Sequence, residues 1–205
     1  MKKGKFIVFE GGDKSGKTTQ IKLLKDYLEK KSQAVLLTRE PGGHNSIIAE
    51  KIRKIILDKE HQEMHPRTEL LLFLASRAQH VEEVIKPALA QGQIVLSDRF
   101  DGSTFAYQGV ARKLDLEEIS KINNWSKDNL QPDLVIYIDL SIREAEERKR
   151  VEKDDRLDRE AKSFHEAVRQ GFLKQAKVND NWVVVSGLGQ REDIAQKIKK
   201  IIKKL

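Results

Sequence analysis

The stretch Phe6-Ile7-Val8-Phe9-Glu10-Gly11-Gly12-Asp13-Lys14-Ser15-Gly16-Lys17-Thr18 decides the fold of this chain. Its first four residues are an uninterrupted apolar run, as expected of a strand buried on both faces. From Gly11 the residues follow the pattern G-x-x-x-x-G-K-[ST], and helical periodicity takes over from Thr18 to about residue 31. Strand, glycine-rich turn and helix in that order predict a phosphate-binding loop. The glycines let successive backbone N–H groups converge on phosphate oxygens, Lys17 reaches the terminal phosphates, and the Thr18 hydroxyl can ligate Mg²⁺. Gly11, Gly12, Asp13, Lys14, Ser15, Gly16, Lys17 and Thr18 are therefore the expected site for a nucleoside triphosphate with Mg²⁺.

Outward from the loop, short apolar runs at 34–38, 94–97, 133–138 and 182–185 predict four more strands. Helical patterns at 47–57 and 68–90, with further helical segments in the remaining gaps, separate them. Strands alternating with helices of ten or more residues predict an α/β fold, a five-stranded parallel sheet flanked by helices. Prolines at 41, 66, 87 and 132 fall at or near the predicted boundaries. No internal repeat or linker interrupts residues 1–205, which are expected to form a single domain. In open α/β sheets ligands bind beyond the carboxyl ends of the strands, here segments 10–18, 39–43, 98–108 and 139–159.

Composition narrows the class. The chain has no Cys, which excludes thiol nucleophiles, disulfides and Cys-based zinc sites. No apolar run reaches the roughly 18 residues of a membrane span, and the basic start breaks into charge at Glu10, too early for a signal peptide. Thirty-nine Lys and Arg against 32 Asp and Glu give a formal charge of +7. The signs are interspersed, as in Arg143-Glu144-Ala145-Glu146-Glu147-Arg148, which marks solvated helix faces rather than a nucleic-acid footprint. At the C-terminus Ile194, Ile198, Ile201, Ile202 and Leu205 recur at helical spacing among lysines, and are expected to lay a stripe on the core rather than on a membrane. A soluble, cytoplasmic protein without membrane or nucleic-acid partners is expected.

The phosphate loop alone leaves open a switch, a nucleic-acid motor or a kinase. No N-K-x-D base-reading element is present, and a motor needs more chain than this. A small-acceptor kinase needs a second pocket and a basic cover. Phe73, Ser76 and Arg77 share one helix face; either Phe73 is core and Arg77 surface, or Phe73 stacks on a base that Arg77 reads. Asp98 and Asp139 each end a strand and are rival Mg²⁺ carboxylates. The segment Asp101 to Gly109 offers Ser103, Thr104, Tyr107 and Gln108 for a sugar and a base edge. Ten of the twelve residues in 148–159 are charged, which suits a mobile basic lid as well as a solvated helix face.

Taken in order, Phe9-Glu10-Gly11, Thr38-Arg39-Glu40-Pro41-Gly42-Gly43, Phe73 to Arg77, Ile85-Lys86-Pro87-Ala88-Leu89, Asp98-Arg99, Ser103-Thr104, Ala106-Tyr107-Gln108-Gly109 and Leu157-Asp158-Arg159-Glu160 resemble the thymidylate kinase family over essentially the whole chain. The resemblance implies a three-layer P-loop kinase fold, a homodimer, and transfer of phosphate from ATP with Mg²⁺ to dTMP, yielding dTDP for dTTP synthesis. It implies that Asp13 contacts the acceptor 3′-hydroxyl, and that Arg39, Arg77 and Arg99 surround the acceptor phosphate and base. Phe73 would stack on thymine, Tyr107 crowd the ribose 2′ position, and Ser103, Thr104 and Gln108 line the base pocket. It also favours Asp98, with Thr18, for Mg²⁺.

Two features depart from the family pattern. Cations occur both in the loop, at Lys14, and in the lid, at Arg148, Arg150 and Lys153, so either set is a candidate to cover the transferring phosphate beside the catalytic Lys17, Asp13 and Arg99. His44 stands where a small hydroxyl residue is expected. His61 and His65 lie four apart but Pro66 ends the segment, which argues against a metal pair.

Overall fold

A computed structural model describes residues 4–148 and 155–205. Five parallel strands, β1 (Lys5–Glu10), β2 (Val35–Arg39), β3 (Ile94–Asp98), β4 (Leu134–Asp139) and β5 (Trp182–Ser186), form one sheet in the order β2-β3-β1-β4-β5. The strands alternate their side chains between two apolar layers. Ile7 and Phe9 face α1 (Lys17–Glu29) and α9 (Arg191–Ile202), meeting Ile21, Leu24, Ile194 and Ile198. Phe6 and Val8 face the opposite way, onto Val81, Ile85 and Phe100. Both faces of the central strands are thus covered, which is why their sequences read as continuous apolar runs. The C-terminal stripe lies on the core through Ile194 and Ile198, both buried, while Leu205 at its end is exposed.

Between β2 and β3 run α2 (Ile47–Leu57), α3 (Pro66–His80) and α4 (Lys86–Ala90). The Ser46 side chain caps α2, and α3 starts with Pro66 at its first turn, where a missing N–H costs nothing. The pattern expected as one helix over 68–90 is interrupted by a π-helical turn at Val81–Ile85. Pro87 has no N–H to give and its ring crowds the preceding turn, so the backbone widens there instead of breaking. After β3 come α5 (Asp101–Thr104), a second π-helical turn (Phe105–Ala111) and α6 (Leu116–Ser126), capped by Asp115. Helices α7 (Ile142–Glu147) and α8 (Lys162–Val178) connect β4 to β5. Strand register brings Glu10, Arg39, Asp98 and Asp139 to one edge of the sheet.

Candidate active site

The turn from β1 to α1 carries three residues with positive φ, Gly11 at 152°, Lys14 at 61° and Gly16 at 98°. A Cβ on Gly11 would sit 2.7 Å from the Ile138 carbonyl, so the loop presses directly on β4. The Lys17 Nζ donates to the Gly11 and Gly12 carbonyls at 3.0 and 2.9 Å, which folds the buried ammonium back over the loop. Burial, and after it the nearby Arg99, lowers the Lys17 pKa from its ordinary value. The Ser15 Oγ is buried in the loop with no hydrogen-bond partner among the described residues. Thr18 Oγ1 donates to Asp98 Oδ2 at 3.0 Å, so the β3 carboxylate and the loop hydroxyl stand side by side. These groups fit a triphosphate and its Mg²⁺: a backbone cradle, one ammonium, and a hydroxyl–carboxylate pair.

Asp139, the rival carboxylate, is already engaged. It accepts from Nε and Nη2 of Arg169 at 2.8 and 2.9 Å and from the Tyr137 hydroxyl at 2.9 Å.

Beside the loop, Arg99 holds a left-handed backbone at φ 71°. Its guanidinium donates to the Gly11 carbonyl at 2.9 Å, to Ser103 Oγ at 3.3 Å and to Asp13 Oδ1 at 2.8 Å, and it lies over the Tyr107 ring. Burial works upward on the Asp13 carboxyl, but Arg99 and Lys17 outweigh it and hold the pKa below its ordinary value. Underneath, the fully buried Glu10 accepts from the Phe100 and Ser103 amides, each at 3.0 Å, and from Ser103 Oγ at 2.7 Å. Burial pushes the Glu10 pKa up to about 7 even though Arg99 and these hydrogen bonds pull it down.

A cavity of about 220 Å³ runs from Lys14, Lys17 and Thr18 past Asp13 and Arg99 to Phe73, Thr104 and Gln108. Arg39, at the end of β2, lines it and donates to both oxygens of Glu50 at 3.0 Å and to His44. Phe73 is a half-buried part of the wall, packed beside Tyr107 and Leu157. Tyr107, on the second π-helical turn, lines it too, and burial raises the pKa of its phenol. Neither surface nor cavity lining describes Arg77. It lies behind the wall, 1% exposed, and gives four N–H bonds to Glu40, Thr104, Asn123 and the Phe100 carbonyl. Its reach into the cavity passes through Thr104, whose Oγ1 accepts from Arg77 at 2.9 Å. Ser103 also lines the cavity, with its hydroxyl committed to Glu10.

The basic segment is rooted at both ends. Arg148 donates to the Lys14 carbonyl at 2.9 Å and to the Gly187 carbonyl, across the phosphate loop. Arg150 and Lys153 lie outside the described residues. Arg156, in the charged stretch, is 2% exposed and bonds the Ile56 carbonyl at 3.0 Å and Glu69 at 2.6 Å. His61 and His65 are not paired: His61 meets the Ile55 carbonyl, and His65 accepts from Arg67 N at the start of α3.

Reading the sequence alone gave no individual role to Glu10, Glu40 or Glu69, and counted Arg156 only among the charges of the basic lid. All four are buried charges whose partners are distant in sequence, and Glu10 and Glu40 carried a signal only as members of the family-like motifs beyond β1 and β2.

The thymidylate kinase family model matches residues 9–198. The thymidylate kinase of Thermosipho africanus is 48% identical over 97% of this chain and 98% of its own length. That of Fervidobacterium nodosum is 46% identical, covering 96% and 97%. The crystal structure of thymidylate kinase from Ehrlichia chaffeensis superposes with a TM-score of 0.80 at 32% identity, over 97% of this chain and 98% of that one. Sheet order, phosphate loop and full-length similarity agree, and this chain belongs to the thymidylate kinase family.

Proposed function

We propose that this chain transfers the γ-phosphoryl group of ATP to dTMP, giving ADP and dTDP for dTTP synthesis, in the cytoplasm and as a homodimer. In this reading residues 1–205 are one working domain whose basic lid spans about 148–159. The observation that carries it is the single cavity that joins the phosphate loop to a second pocket lined by Arg39, Phe73, Thr104 and Gln108, with Asp13 and Arg99 at the junction.

An acceptor phosphate oxygen, anionic at neutral pH, attacks the γ-phosphorus in line as the bond to the ADP oxygen breaks, so no general base is needed. Lys17 and the loop amides hold the donor phosphates. Thr18 and Asp98 would hold Mg²⁺, which would supply positive charge against that of the donor phosphates. Arg99 and Arg39 hold the acceptor phosphate, Asp13 the 3′-hydroxyl, and Tyr107 crowds the ribose 2′ position. Phe73 stacks on the base, with Ser103, Thr104 and Gln108 around its edge and Arg77 acting on that edge from behind, through Thr104. Arg148, Arg150, Lys153 and Lys14 supply cations over the transferring group, and the Arg148 bond to the Lys14 carbonyl supports Arg148 among them. No helix among the described residues is long and apolar enough to cross a membrane.

Support for the homodimer comes from exposed apolar residues on two neighbouring helices, Ile47, Ile48 and Ile55 on α2 and Leu71 on α3.

The test is ADP release with ATP and Mg²⁺, comparing dTMP, dUMP, dCMP and no acceptor, with the product identified. Strong dTMP-dependent turnover yielding dTDP is expected. ADP release that ignores the acceptor, or responds only to DNA, overturns the reading.

A further inference from the structure

Glu69 takes no direct part in the cavity, yet it meets the one amide side chain among the described residues of its wall. It sits on α3, 0% exposed, and receives Gln108 Nε2 at 2.8 Å, Arg112 Nη2 at 3.1 Å and Arg156 Nη2 at 2.6 Å. Burial raises its pKa, but Arg112, Gln108 and Arg156 outweigh that and hold it below the ordinary value, so it is ionised at neutral pH. An ionised carboxylate only accepts hydrogen bonds. Gln108 must therefore turn its NH₂ toward Glu69, and its carbonyl Oε1 is left for the cavity that the residue lines.

The end of the amide that faces the cavity decides which base fits. Thymine offers an N3–H donor on its pairing edge, whereas cytosine has a bare N3 acceptor there. A carbonyl accepts from the first and repels the second. We infer that Glu69 is a specificity-determining positioning residue: as an acceptor-only partner it locks the Gln108 amide with Oε1 toward the base, and so selects a pyrimidine nucleotide that carries a proton on N3. The inference rests on the acceptor reading proposed above.

Glu69→Gln removes the lock with little change in size. The new amide can donate to Gln108 Oε1, which lets Gln108 turn and offer its NH₂ to the cavity. The ratio of kcat/KM for dTMP over dCMP is expected to fall about 10- to 100-fold, the worth of one mismatched buried hydrogen bond. The loss should reside in KM for dTMP, because the base contact is the same before and during transfer. Glu69→Asp remains acceptor-only and should keep the ratio near that of the wild type, even where its shorter reach weakens binding. A purely structural role for Glu69 predicts the reverse, with all acceptors weakened alike and Asp no better than Gln. An unchanged ratio in Glu69→Gln overturns the inference. Should that variant fail to fold, Gln108→Leu decides, since it deletes the amide and leaves Glu69 with both arginines. The ratio must then fall by a similar factor, and an unchanged one overturns the inference. If the wild-type enzyme does not phosphorylate dTMP at all, the acceptor reading itself has failed, which the wild-type control shows before any variant is compared.

Discussion

At the residue scale, the site places single charges under opposing pressures and leaves a measurable trace of each. Lys17 is held buried by the loop carbonyls it caps, with its ammonium bonded to both Gly11 and Gly12. Lys17→Ala should lower kcat at least about 10²–10³-fold with the fold intact, as seen by steady-state turnover beside circular dichroism. Near-full activity would remove the loop from the chemistry. Glu10 gives a pH signature instead. Its folded pKa of about 7 lies above the 4.5 ordinary for the side chain, so the folded state binds the proton more tightly than the unfolded chain does. The stability this confers is complete below about pH 4.5 and is lost as pH rises through about 7. Gln at this position mimics the protonated form: its carbonyl can accept from the Phe100 and Ser103 amides that Glu10 now serves. Between pH 6 and 8 the melting temperature of the wild type should fall relative to Glu10→Gln, and parallel melting curves would refute the assignment. The thymine methyl, worth about 1–3 kcal/mol in an apolar pocket, should leave dUMP a measurable but poorer substrate than dTMP.

At the element scale, close approaches between helices set where the pocket residues stand. Gly171 on α8 faces Ala106 on the second π-helical turn, and a Cβ there would lie 2.9 Å from the Ala106 Cα. Gly171→Val should cost about 1–3 kcal/mol in chemical denaturation and raise KM for dTMP, because Tyr107 and Gln108 ride on the same turn. The strands and the phosphate loop were legible in the sequence to within a residue or two, since a buried parallel strand has no choice but to be apolar on both faces. The two π-helical turns were not legible. Over five to seven residues, apolar spacing cannot distinguish a widened turn from an ordinary one, and the wide turn at 105–111 carries Tyr107 and Gln108. Arg156 was hidden for another reason. Ten charges in twelve residues average out as a solvated face, while this one guanidinium is buried against Glu69. Arg77 failed in the same way: its spacing gave it a helix face, but not the four partners behind the wall.

At the scale of the whole molecule, the net charge of +7 comes from cations interspersed with acids along most of the sequence. Turnover should therefore change little when duplex DNA is added, and a steeply salt-dependent DNA complex would contradict the kinase reading. The exposed isoleucines of α2 bear on assembly. Wild-type protein should scatter light as two chains, and Ile48→Glu, at a residue 51% exposed in the single chain, should shift it toward one. A two-chain mass for both would place the contact elsewhere. The ion pair between Asp13 and Arg99 ties the phosphate loop directly to the wall of the second pocket. In the proposed reaction, ATP on the loop side of this pair and dTMP on the wall side are not independent guests. Whatever factor dTMP imposes on the dissociation constant of ATP, ATP must return to dTMP, because the equilibrium linkage between them closes a thermodynamic cycle. An inhibitor built for one compartment of this enzyme will consequently have an affinity that depends on what fills the other.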